Sequence, residues 1–188
     1  MTNKLIEVRV VIPDAGILIS LAHGDLLDVL LEFAEKVRIL TTDIVEFEVT
    51  RRGDLFDAKR ISDFLAANKD RITVQRTGYE GILNAAKKDP DMVLPPDIGE
   101  SSIYGFVNSI RAEAPGISTL VLFEDNWFAR NEMGVRPTMV HLVSLLAFLK
   151  YAEKVIPDFS CDDAIARIRN TRPWVDLVEI DSPGINST

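Results

Sequence analysis

The 188-residue chain has one cysteine, two histidines, no long apolar run and no excess of basic charge. Each shortage removes a class of protein. A lone Cys161 can form neither an internal disulfide nor a cysteine-based zinc site. It fits a reducing compartment, so the expected location is cytoplasmic. His23 and His141 have no second His or Cys at ligand spacing. His141 falls in an apolar stretch and reads as a core or interface residue. That stretch, near 139–149, is the longest apolar one and is too short to span a bilayer. The N-terminus MTNKLIEVRVVIP alternates charged and apolar residues, unlike an export signal. No membrane association is expected. Lys and Arg number 21 against 29 Asp and Glu, for a net charge of −8. This balance counts against non-specific nucleic-acid binding, which needs cations for phosphate. It does not exclude a nuclease, whose metal site itself gathers carboxylates. No repeat or low-complexity tract is visible.

What remains is an ordinary globular composition, 47% hydrophobic and 27% charged. A chain of this length suits one domain and buries about 70% of the surface its unfolded form exposes. Short β-branched runs predict strands at 8–13, 37–40, 72–76 and 118–123. Helices are predicted over 16–22, 26–36 (capped by Asp25), 42–51, 54–68, 78–88, 98–112 and 127–132. Arg136-Pro137 suggests a brief edge strand. Thr138 is placed as the cap of a long apolar helix to about Lys154. Strands alternating with helices predict an α/β fold: a three-layer α/β/α sandwich around a mostly parallel sheet of four to five strands. The domain is expected over 1–155. Residues 156–188 then form a helical extension, opened by Ser160-x-x-Asp163, and a loose tail.

In an open parallel sheet, ligands bind beyond the carboxyl ends of the strands, near the reversal of strand order. Asp14 follows the first strand directly, in VVIPDAGILIS. Glu124 and Asp125 follow the fourth. These two strands are the most apolar and are expected to be central neighbours. Glu46 and Glu48 lie on the helix after the second strand; Asp97 and Glu100 open the helix before the fourth. Each acid also has a structural reading. Asp14 can cap the next helix, Asp97-x-x-Glu100 is a capping-box pattern, Glu48 can be solvated, and Asp125 can cap the segment after it. Grouped carboxylates repel, and burial raises their pKa values. A divalent cation removes that penalty, and an all-oxygen set selects magnesium or manganese over zinc. Such a site suits phosphoryl chemistry.

Four segments resemble the PIN-domain family of metal-dependent ribonucleases: VVIPDAGILISLA, TTDIVEFEVTRR, DIGESSIYGF and STLVLFEDNWFAR. The ending GVRPTMVHLVSLLAFLK is similar to that family's edge strand and closing helix. The resemblance covers about residues 7–155. It implies Asp14, Glu48, Glu100 and Asp125 as catalytic acids and ligands of magnesium or manganese, with Asn126 and Ser101 supporting them. It implies RNA as substrate, and a homodimeric toxin of a toxin–antitoxin pair, of the VapC kind, with an antitoxin protein as partner. Asp125 is preferred to Glu124 because alternation from Val121 and Phe123 carries it to the same face. Arg51, Arg52 and Arg130 are candidates for phosphate contact, with Lys59 and Arg60 on the next helix. Trp127 and Phe128 can offer a stacking face for a base, or belong to the core. Two departures stand out: Ala15 and Gly16 occupy positions where the family often has polar residues. An alternative is therefore an inactive PIN-like binding or scaffold module. A phosphatase of the haloacid dehalogenase kind also begins with strand and aspartate. It needs a second aspartate where Gly16 stands.

Overall fold

The computed structural model describes residues 8–34, 36–125, 139–175 and 177–182. Strand β1 (Val8–Pro13) is buried from Val10 onward. It pairs in parallel with β2 (Arg38–Thr42) on one side and β4 (Ser118–Phe123) on the other. Strand β3 (Ile72–Gln75) extends the sheet beyond β2, and β5 (Val140–Ser144) extends it beyond β4. A two-residue strand β6 (Asp181–Ser182) adds antiparallel to β5. Among the described residues the order is β3-β2-β1-β4-β5-β6, five parallel strands and one short antiparallel edge. The five parallel strands agree with the expected α/β sandwich, and β6 places part of the supposedly loose tail in the sheet.

The chain moves outward from β1 to β2 and β3, then returns past β1 to begin β4 on its other side. Strand order therefore reverses between β1 and β4. That is the crevice where parallel sheets hold ligands. Pro13 ends β1 where its missing N–H costs the ladder nothing further. The next amide, of Asp14, donates to the Leu122 carbonyl at 2.9 Å and keeps the chain against β4.

Helices flank the sheet: α1 (Ala15–Gly24), α2 (Asp43–Thr50), α3 (Phe56–Ala67), α4 (Glu80–Lys88), α5 (Ile98–Glu113), α6 (Leu145–Val155) and α7 (Cys161–Thr171). Asp25 does not open a second helix. It closes α1 in the left-handed conformation (φ 57°), and the Leu26 amide returns to the Leu21 carbonyl. Aspartate tolerates that backbone better than most residues do. The predicted helix after it is a tighter 3₁₀ segment, Leu27–Phe33. Thr42 caps α2 and Ser160 caps α7 with their hydroxyls, as expected.

The predicted helix from Thr138 is a correction. Residues Val140–Ser144 are strand β5, so His141 lies on a buried strand and not in a helix. The apolar run has no Gly or Pro to mark the boundary, and both periodicities fit it. Ser144 makes the break: its hydroxyl accepts from Ala147 and from Ile180. The helix over 127–132 and the strand at Arg136-Pro137 lie outside the described residues.

One large core joins β1, α1, β4 and β5 to Cys161, Ala164 and Ile168 of α7. The C-terminal helix thus packs into the same interior, against α1. A small separate cluster, Ile44, Leu83 and Ile98, binds α2, α4 and α5.

Candidate functional site

Asp14 stands where β1 leaves the sheet, 4% exposed. It caps α1: Oδ1 accepts from the Ile17 amide at 2.7 Å. Oδ2 accepts from the Glu124 amide at 3.2 Å, across the crevice. Burial pushes its carboxyl up from the ordinary 3.8 to about 8, against the lowering effect of those two amides. The nearby charges of Asp125 and Glu124 add to the rise.

Glu48 projects from α2 toward the first turn of α5. Its carboxyl is raised to about 7, mainly by burial and then by the Glu100 charge, while Arg51 and the Gly99 amide act the other way. Gly99 leaves room for that carboxylate: a Cβ there would lie 2.3 Å from Glu48 Oε2. Glu48 therefore sits at the N-terminal end of α5, where unpaired amides favour a carboxylate. Glu100 is raised mainly by burial, then by Asp125 and Asp97. The four acids are thus linked in sequence: Asp14 to Asp125, Asp125 to Glu100, Glu100 to Glu48.

The capping box expected at Asp97-x-x-Glu100 does not form. Asp97 has a left-handed backbone (φ 56°), and its side chain makes no cap. Glu46 is a separate matter. It lines a groove of about 500 Å³ with Asp43, Arg76 and Lys87, and burial raises its pKa.

Glu124 leads elsewhere. Its carboxylate pairs with Arg172 at 2.9 Å on each oxygen and accepts from the Ser20 hydroxyl. Ser101 is half-buried on the first turn of α5, but the buried hydroxyl is the next one, Ser102. It meets Thr42 Oγ1 at 2.6 Å and the Gly99 carbonyl at 2.6 Å. Thr42 in turn caps α2 through Val45. This pair of hydroxyls fixes α2 against α5, and with them the elements that carry Glu48 and Glu100. Sequence reading named Thr42 only as a cap and missed Ser102, Ser20, Gly99 and Arg172.

Of the basic candidates, Arg51 is exposed, lies over the Phe47 ring at 5.9 Å and is close enough to lower Glu48. Arg52 is exposed and 3.5 Å from Asp54. Lys59 pairs with Asp63, and Arg60 with Asp25. Asn126, Trp127, Phe128 and Arg130 lie outside the described residues.

As a donor set for a cation, the acids offer only hard oxygens, and their unfavourable burial is what a divalent ion would relieve. Yet among the described residues no group of three or more His, Cys, Asp or Glu side chains stands close enough to hold a metal ion. The chemistry fits; ligation would require side chains to turn inward. Also among the described residues, no helix is long and apolar enough to cross a membrane. Comparison with protein families, with curated proteins and with solved structures finds no match to this chain.

Proposed function

We propose that this chain is a metal-dependent endoribonuclease of the PIN-domain kind, acting as a homodimeric toxin countered by an antitoxin. One observation carries the reading. Buried Asp14 stands with Asp125 where the central strands β1 and β4 end, Asp125 is close enough to raise Asp14 and Glu100, and half-buried Glu100 raises half-buried Glu48. Perturbed acids beside the crevice of a parallel sheet are candidates for a functional site. Magnesium or manganese, when bound, would neutralise these carboxylates and supply Lewis-acid activation of water and phosphate. Asp14, Glu48, Glu100 and Asp125 would hold it, with Asn126 and Ser101 in support.

The chain's own contribution is orientation. Two backbone amides fix Asp14, so its carboxyl needs no rearrangement to face the crevice. Gly99 lets Glu48 approach α5. Arg51, near Glu48, would meet a phosphate, with Arg52 and Arg130 proposed as further contacts. The test is RNA cleavage with magnesium, with manganese and with chelator, beside Asp14→Asn. Chelation should abolish cleavage, and Asp14→Asn should lower it roughly 100-fold or more while the protein stays folded. Equal rates for variant and wild type would sink the assignment.

A second reading, an inactive scaffold, is favoured by a specific observation. Asp14 already serves as a helix cap that two amides satisfy, and the described acids do not converge on one point. Manganese soaked into crystals separates the two. Metal density beside Asp14 supports the nuclease, and its absence at high concentration supports the scaffold.

A further inference from the structure

We propose that Arg172, just past the end of α7, is a positioning residue for this site: it fixes Glu124 so that the Glu124 amide holds Asp14. Its effect on catalysis rests on the nuclease reading; the contacts do not. Glu124 and Arg172 have side chains only 9% and 19% exposed. Arg172 Nη2 reaches Oε1 and Nη1 reaches Oε2, both at 2.9 Å. The Ser20 hydroxyl donates to the same carboxylate and accepts from Arg172. Three elements meet there: α1, the end of β4 and the segment after α7.

A two-pronged guanidinium satisfies both carboxylate oxygens and allows one orientation. With the Glu124 side chain locked, its backbone is locked too. That backbone donates to Asp14 Oδ2. Gly16 belongs to the same device. A Cβ there would lie 2.9 Å from Glu124 Cβ, so the absence of a side chain at position 16 is what lets Glu124 lie across the first turn of α1. One turn further along α1, Ser20 meets the same carboxylate. The C-terminal segment therefore closes one edge of the site.

The experiment uses the full chain with Arg172→Lys, which keeps the charge and loses the fork. Three quantities are read: amide hydrogen exchange, Mn²⁺ affinity by electron paramagnetic resonance, and kcat and KM on RNA. Exchange at the Glu124 amide should accelerate while the amides of Val11 and Ile39 stay protected. Mn²⁺ affinity should fall about 10- to 100-fold, as it does when groups that orient ligands are altered. The loss should appear in kcat with KM unchanged. If Arg172→Lys does not fold, Arg172→Met combined with Glu124→Gln removes both charges and is read the same way. Unchanged exchange at Glu124, or acceleration shared equally by the sheet amides, overturns the proposal. Wild-type protein that binds no Mn²⁺ and cuts no RNA would end the nuclease reading, while the exchange data still decide whether Arg172 positions Glu124.

Discussion

Asp14 is buried and Glu48 half-buried; both are acids pushed far from their ordinary pKa, but the protein holds them differently. Asp14 ends a central strand above the main core, and backbone amides take both of its oxygens. Glu48 rides on α2 above the small cluster of Ile44, Leu83 and Ile98, with its carboxylate against Gly99. The strand side is set by backbone, the helix side by a side chain with room to turn. On the proposed reading, a cation would find Asp14 in place and draw Glu48 and Glu100 toward it.

The largest effect is on stability against pH in chelator. Folded Asp14 keeps its proton to about pH 8 and Glu48 to about pH 7, where the ordinary values are 3.8 and 4.5. Between those limits the native state binds protons that the unfolded chain has released. The stabilising contribution is complete below the ordinary values and is lost as pH rises through the folded ones. At about 1.4 kcal/mol per unit, the rise of Asp14 alone amounts to about 6 kcal/mol. Denaturant midpoints should therefore fall steadily from about pH 5 to pH 8, and magnesium should restore the loss at the upper end. Asp14→Asn should flatten the profile more than Glu48→Gln. The reverse order would mean that the helix side carries the greater burial cost.

Next comes Gly16→Ala. The new Cβ meets Glu124 Cβ at 2.9 Å, an atom close to the backbone that cannot swing aside. Overpacking of this kind costs about 1–3 kcal/mol, partly offset by up to about 1 kcal/mol of better helix propensity. A net loss in the denaturant midpoint is expected. An unchanged or raised midpoint would show that the strand side yields as easily as the helix side.

Much of the strand side is readable from sequence. Two short β-branched runs end in Pro13-Asp14 and Phe123-Glu124, and their apolar character marks them as central neighbours. Their parallel pairing, Pro13 against Leu122, follows. What cannot be read is the tie between Glu124 and Arg172, 48 residues apart, because no local pattern specifies it. On the helix side, what local pattern leaves open is the phase of α5. The left-handed backbone at Asp97 sets how α5 begins and brings Ser102, rather than Ser101, to Thr42. The β5 boundary failed for another reason, since an unbroken apolar run fits strand and helix alike. Ser102→Ala tests the phase directly. It removes two buried hydrogen bonds and should cost about 1–3 kcal/mol, whereas Ser101→Ala should change the midpoint little.

The smallest stability effect is predicted for Gly99→Ala, and it separates the two sides most cleanly. The added Cβ would lie 2.3 Å from Glu48 Oε2, but that oxygen is the far end of a flexible side chain. The carboxylate can turn out toward water, and alanine is a better helix former than glycine, so the midpoint should move by less than about 1 kcal/mol. What should change is the acid itself. Freed from burial and from Glu100, Glu48 should titrate closer to its ordinary 4.5 than to 7, read by carbon NMR of the labelled carboxyl. On the nuclease reading, Mn²⁺ affinity falls with it, although nothing in the core has moved. Should Gly99→Ala instead destabilise the fold as much as Gly16→Ala, Glu48 would be as fixed as Asp14. The helix side would then have no freedom to close on a cation, and the scaffold reading would gain what the nuclease reading lost.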